Sequence, residues 1–196
     1  MAELFLCLVI GYLFGSLNFA IIYSKLKGDD IRNHGSGNAG ATNVLRTYGK
    51  VPAAVVFILD ILKGVIAVLI ARFTLGNSIY ECSAALGAVI GHNFPVYYKF
   101  KGGKGVATSF AVLIALHWPT ALIALLVFIV VVVMSKYVSL SSICASVGAI
   151  ISSFAFFSIN EFSIFCTVIG LLCIYRHKAN IGRLIAGNEH KLGQKK

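Results

Sequence analysis

The chain has 196 residues, of which 58% are hydrophobic and 12% charged, with a formal net charge of +10. A soluble domain carries about 25% charged residues, so this composition excludes a water-soluble globule and places the chain in lipid. The positive charge sits in short segments between apolar stretches and not along one face, which argues against nucleic acid and for anionic head groups and anionic substrates.

A helix needs about 20 apolar residues to cross the hydrocarbon core. The sequence predicts an all-α polytopic membrane protein with seven transmembrane helices, at residues 4–26, 51–72, 78–97, 105–117, 119–135, 138–157 and 161–175. The first has Glu3 but no basic region ahead of it, so it reads as a retained span and not as a cleaved signal. The second holds Asp60 and Lys63 three residues apart. Charge inside a span is costly, so these two read as an ion pair that supports a site. The third ends in Gly91-His92-Asn93-Phe94-Pro95, with His92 in a supporting role. His117-Trp118-Pro119 separates the short fourth span from the fifth as a tight hairpin, because proline favours helix starts and tryptophan the interface. A half-inserted fourth span, leaving six crossings, is the alternative.

Seven crossings put the termini on opposite sides. All basic residues except Lys63 and Arg72 then fall on one side, Lys195 and Lys196 included. The positive-inside rule makes that side cytoplasmic, with the N-terminus outside and the C-terminus in the cytoplasm. Cys7, Cys82, Cys144, Cys166 and Cys173 lie in apolar stretches without a CxxC. They read as small buried hydrophobes, with neither a disulfide framework nor a zinc site. No repeat, linker or low-complexity segment divides the chain, so residues 1–196 read as a single domain.

Three polar, glycine-bearing segments interrupt the apolar pattern, and the charge asymmetry places all of them on the cytoplasmic face. The first runs from His34 to Asn43 and holds Gly35, Gly37 and Gly40. Successive amides in such a loop form a concave nest for an anion. Asn38, Thr42 and Asn43 add side-chain partners, and Arg46 shares a face with Asn43 if a helix begins there. A merely flexible loop weighs evenly against this reading until Arg32 and His34 are added. The second, Lys101-Gly102-Gly103-Lys104-Gly105, opens the fourth span and makes a phosphate cradle at a helix start. It is not a Walker A loop, because Tyr98 stands where the first glycine belongs. Positive-inside anchoring explains its lysines but not its glycines. The third, Arg176 to Arg183, sets His177 and Asn180 on one helical face. Taken alone, it reads as a basic juxtamembrane tail.

No GxSxG, no HxxxxD and no paired carboxylates occur, so no cofactor and no metal ion is expected. An anion transporter is disfavoured because the spans are poor in polar residues at mid-membrane. A structural lipid-binding protein is disfavoured because charge alone would serve it.

Together the segments resemble the bacterial acyl-phosphate:glycerol-3-phosphate acyltransferases, the PlsY family, over nearly the whole chain. Gly35 to Asn43 looks like the family's first motif, and Gly91 to Pro95 with Phe100 to Thr108 like the second. Arg176 to Leu184 with Gly187 and Glu189 looks like the third, and Lys136 to Ile143 resembles the stretch at the start of the sixth span. The resemblance implies a multi-pass enzyme of the bacterial cytoplasmic (inner) membrane with its site facing the cytoplasm. It would move a fatty acyl group from acyl phosphate to the 1-hydroxyl of sn-glycerol 3-phosphate, the first step of phospholipid synthesis. The products would be lysophosphatidic acid and inorganic phosphate, and no obligate protein partner is implied.

Both substrates carry phosphate. Two unit charges ~4 Å apart at an effective dielectric near 20 repel by about 4 kcal/mol, which cations and amides must offset. The reading gives Lys104 and the first-segment amides (Gly37, Asn38, Gly40, Ala41, Thr42, Asn43) to acyl phosphate, with Gly102, Gly103 and Gly105 in the substrate-binding set. Arg46, Ser36 and Asn180 go to glycerol 3-phosphate, and Ser142 joins the binding set. Lys104, His177 and Ser36 are the candidate catalytic residues. His177 or the departing phosphate takes the proton.

Overall fold

The structure, a computed structural model, describes residues 1–193, so Lys195 and Lys196 lie outside the described residues. In lipid every backbone amide must be satisfied within its own segment. Accordingly the regular elements among the described residues are helices: α1 (Ala2–Gly15), α2 (Phe19–Leu26), α3 (Ala41–Tyr48), α4 (Lys50–Leu75), α5 (Ser78–Asn93), α6 (Val106–Leu116), α7 (Trp118–Ser135), α8 (Val138–Phe157), α9 (Glu161–Arg176) and α10 (Lys178–Ile185). Short 3₁₀ turns occupy Ile31–Asn33 and Val96–Tyr98. Large apolar side chains such as Phe57, Ile58, Leu126, Val133 and Leu171 face outward, a surface suited to lipid and not to water.

Four helical stretches are long and apolar enough to cross a membrane: Ala2–Leu26, Lys50–Leu75, Trp118–Ser135 and Val138–Phe157. Glu161–Arg176 with Lys178–Ile185, bent by 55°, makes a fifth if taken as one span. The lengths differ from the sequence expectation at two places. The span expected at 4–26 is broken at Ser16-Leu17-Asn18, where the Asn18 side chain accepts from Ile21 N and starts α2. The span expected at 78–97 is helical only to Asn93, because Pro95 denies a continuing helix to the residue before it. The span expected at 105–117, short already in the sequence, is an 11-residue helix at Val106–Leu116, about 16 Å against a core of about 30 Å.

The chain forms two compact units, Met1–Leu116 and one that begins at His117. In the first, α1 and α5 touch backbone to backbone through Gly11 and Gly15 on one and Gly87 and Gly91 on the other. A Cβ on any of the four would collide with a backbone carbonyl of the facing helix, at Ala84, Ala88, Leu8 or Tyr12. Small residues four apart let membrane helices approach this closely. The loop from Ile31 to Gly40 is seated on a core of Ala20, Ile21, Ile31, Ala39, Val44 and Val56. In the second unit, α7 begins with Pro119 near its start and His117 accepting from Thr120 N, and α9 opens with an Asn160–Ser163 capping box. His117 meets the rings of Phe156, Phe157 and Phe162 at 4.7–5.6 Å. No disulfide joins the five cysteines.

Candidate functional site

In the first unit the first two polar segments come together. Asn43 lies in the first turn of α3, so Asn43 and Arg46 do share a helix. Asn43 is buried, its Oδ1 accepts from Ser36 N at 2.9 Å, and its Nδ2 donates to Ile31 O at 3.1 Å and His34 O at 2.9 Å. Its amide therefore gathers the loop around itself. Gly35, at φ 55°, sits where a Cβ would collide with that amide, which is why glycine is required there. Ser36, Asn38 and Thr42 are half-buried and Arg46 is exposed. Gly40 precedes α3 and Ala41 opens it, with no side chain capping the helix. His34 Nε2 meets both Asp29 carboxylate oxygens, Oδ1 at 2.9 Å and Oδ2 at 2.8 Å, and Tyr48 donates to Oδ2 at 2.8 Å. Those bonds, His34's first, hold the Asp29 carboxyl below its ordinary value.

The second segment is a turn under tension. Lys99 and Phe100 both take left-handed backbone, φ 56° and 59°, which costs about 1–3 kcal/mol per non-glycine residue. Phe100 N bonds Pro95 O at 3.0 Å and Lys101 N bonds Tyr98 O at 3.2 Å. Arg32 fastens the same turn, donating through Nη1 to Tyr98 O at 3.2 Å and Lys101 O at 3.3 Å while its Nε meets Asp30 at 2.8 Å. The Arg32 hydrogen bonds hold the Asp30 carboxyl below its usual range against the opposing effect of burial. Gly102 N and Gly103 N bond the carbonyls of Asn93 and His92, at 3.3 and 3.1 Å. A Cβ on Gly103 would strike both the His92 ring and Ala39 O, so the two loops touch there. Lys104 stands half-buried between the buried Gly103 and Gly105, two residues before α6.

In the second unit His177 is the joint between α9 and α10, and it is buried. Its Nδ1 lies 2.8 Å from Cys173 O. A carbonyl only accepts, so Nδ1 carries the proton and the lone pair of the neutral ring is on Nε2, as a base requires. Asn180, also buried, donates from Nδ2 to Glu189 Oε1 at 2.6 Å, which fixes which way its amide points. Ser139 donates to the same oxygen at 2.8 Å and Arg183 Nε to Oε2 at 2.7 Å. Burial alone would raise the Glu189 carboxyl, but these donors outweigh it and its pKa lies below the ordinary value. Ser142, buried on α8, donates back to Val138 O at 2.8 Å.

Sequence reasoning named Glu189 only as part of a motif and assigned Ser139 no task. Nothing in their spacing shows that a carboxylate reaches back nine residues to Asn180 across the turn at Gly187, φ 71°. No group of three or more His, Cys, Asp or Glu side chains suited to a metal ion occurs among the described residues.

A family model described as glycerol-3-phosphate acyltransferase matches residues 5–187. A glycerol-3-phosphate acyltransferase of Thermoanaerobacter sp. (strain X514) is 49% identical over 188 residues, 95% of this chain and 94% of its own. That of Aquifex aeolicus (strain VF5) is 45% identical over 193 residues, 97% of this chain and 100% of its own. The crystal structure of PlsY, an integral membrane glycerol 3-phosphate acyltransferase, in its glycerol 3-phosphate form is 43% identical with a TM-score of 0.91, covering 98% of this chain and 96% of that one. Its lysophosphatidic acid form is 42% identical with a TM-score of 0.88, over the same shares of the two chains.

Proposed function

The chain belongs to the glycerol-3-phosphate acyltransferase family, and on that premise we propose that its acyl donor is acyl phosphate. It is a membrane-embedded acyltransferase of phospholipid synthesis that acylates glycerol 3-phosphate to lysophosphatidic acid. In our reading the 1-hydroxyl oxygen attacks the acyl carbonyl, the carbonyl–phosphate bond breaks, and inorganic phosphate leaves. An acyl phosphate is already an activated anhydride, so positioning and charge stabilisation are enough and no covalent acyl-enzyme is required.

Lys104 with the backbone at Asn38, Ala41, Thr42 and Gly105 takes the donor phosphate; the amides of Gly37, Gly40, Gly102 and Gly103 already bond backbone carbonyls, so these glycines shape the cradle and let the phosphate approach it. Asn43 acts by shaping that loop. Ser36, Arg46, Asn180 and Ser142 take glycerol 3-phosphate, and His177 receives the hydroxyl proton. The observation that carries this reading is the joining of two glycine loops, one bearing Lys104, in the first unit. A chain that is one enzyme from end to end, crossing the bacterial cytoplasmic membrane seven times with its N-terminus outside, completes the proposal; the distribution of basic residues supports it.

Purified protein incubated with palmitoyl phosphate and glycerol 3-phosphate is expected to release lysophosphatidic acid and phosphate in equal amounts. Palmitoyl-CoA in place of palmitoyl phosphate is expected to give none. Transfer from the thioester at a comparable rate would overturn the donor assignment.

A further inference from the structure

Among the described residues, the most buried Lys and Asp side chains take no part in the chemistry above. Lys63 is 3% exposed and Asp60 1%, both on α4. Lys63 Nζ has three neighbours at hydrogen-bond distance: Asp60 Oδ1 at 2.7 Å, Leu17 O at 2.8 Å and His92 Nδ1 at 2.9 Å. Each belongs to a different part of the first unit. Asp60 is on the same helix, one turn earlier. Leu17 is in the break between α1 and α2, where the carbonyl lacks a continuing helix. His92 is the penultimate residue of α5.

The two distant neighbours each lead to a glycine loop. The residue after Leu17 is Asn18, whose Nδ2 donates to Ala39 O at 3.1 Å in the first segment. His92 accepts Gly103 N through its carbonyl at 3.1 Å, and its ring fills the space where a Gly103 Cβ would stand. Ala39 O lies against the same face of Gly103. One ammonium group thus fastens, from behind, both backbones that form the cradle.

The chemistry of the contact also sets the His92 ring. An ammonium has donors only, so Nδ1 must be the unprotonated acceptor and the ring proton is on Nε2. Asp60 Oδ1 is 3.6 Å from Nδ1, too far to claim a proton there. A buried ion pair is weak evidence for stability, because apolar residues of similar volume often replace one at no loss. What an apolar pair could not do is hold Leu17 O and the His92 ring.

We propose that Lys63 is a positioning residue for acyl transfer: anchored by Asp60, it ties the α1–α2 break and His92 together and so sets the first and second glycine loops at the spacing that the donor phosphate requires. The inference rests on the functional reading above.

The test separates position from stability. Lys63→Met alone strands a buried carboxylate and is expected to lower the melting temperature. Asp60→Asn with Lys63→Met leaves no charge behind and is expected to melt above Lys63→Met alone. Its kcat/KM with palmitoyl phosphate is nevertheless expected to fall about 10- to 100-fold, because a cradle displaced by about 1 Å costs that much. A double variant with both wild-type melting and wild-type kcat/KM would overturn the proposal. Should the double variant fail to fold, wild-type protein labelled with ¹⁵N-histidine decides. His92 is expected to show an unprotonated Nδ1 and a protonated Nε2 from pH 6 to 8, and a proton on Nδ1 would overturn the proposal. If the wild type makes no lysophosphatidic acid, the functional reading fails and the tautomer measurement still stands on its own.

Discussion

At the residue scale, the proposed function divides the work between Lys104 and His177. Lys104 is held between two buried glycines in a turn that spends backbone strain to put it there. Replacing it with alanine removes a cation from the cradle. Lys104→Ala is therefore expected to lose about 100-fold or more in kcat while melting like the wild type. His177→Ala tests the proton's destination: a loss of about 100- to 10,000-fold marks His177 as the base, and a loss under tenfold marks the departing phosphate. Glu189 adds a pH dependence whose sign is set by its donors. Its folded-state pKa lies below the ordinary value, so its contribution to stability is present above the unfolded pKa and is lost as pH falls through the folded one. Thermal unfolding followed from pH 7 downward is expected to show that loss below the ordinary carboxylate value of 4.5. Glu189→Gln removes that part of the slope and is less stable at neutral pH.

At the scale of elements, the pairing of α1 with α5 is the feature most exposed to single substitutions. Gly87 faces Leu8 O, and even a methyl group there meets backbone that a rotamer change cannot move. Gly87→Leu forces the helices apart and is expected to cost roughly 3 kcal/mol, measured as a fall in melting temperature in detergent. Gly182, with no atom within 4 Å of an added Cβ, serves as the control, and Gly182→Ala is expected to melt normally. The spacing of Gly11 with Gly15 and of Gly87 with Gly91 is plain in the sequence, but which helix each pair faces is not. Helix boundaries were legible where the signals were local. Pro119 and His117 mark the start of α7, and the helix that joins Asn43 to Arg46 exists. They were less legible at 78–97, where apolar residues continue past the point at which Pro95 stops the helix, whereas the helix expected at 105–117 runs from Val106 to Leu116.

At the scale of the whole molecule, the remaining question is orientation in the bilayer. The proposed orientation, which the charge distribution supports, has the C-terminus in the cytoplasm and the N-terminus outside. Green fluorescent protein fused after the last residue is expected to fluoresce in cells, and alkaline phosphatase fused there is expected to be inactive. The reverse result would move the basic segments to the other side and remove the proposed cytoplasmic site.

Composition alone determined that this chain lives in lipid, because 58% hydrophobic residues leave too little polar surface to meet water. The order of the glycine and basic segments along the chain was enough to point to the family. Tertiary structure alone decided what those segments lean on. The Asn43 amide turned inward on its own loop, Arg32 fastened the strained turn before Lys101, Glu189 gripped Asn180, and Lys63 reached both Leu17 and His92. The reason is physical: hydropathy and motif spacing are properties of neighbours in sequence, whereas a buried hydrogen bond between residues 29 positions apart, such as Lys63 and His92, exists only once packing has removed the water that would otherwise satisfy both partners.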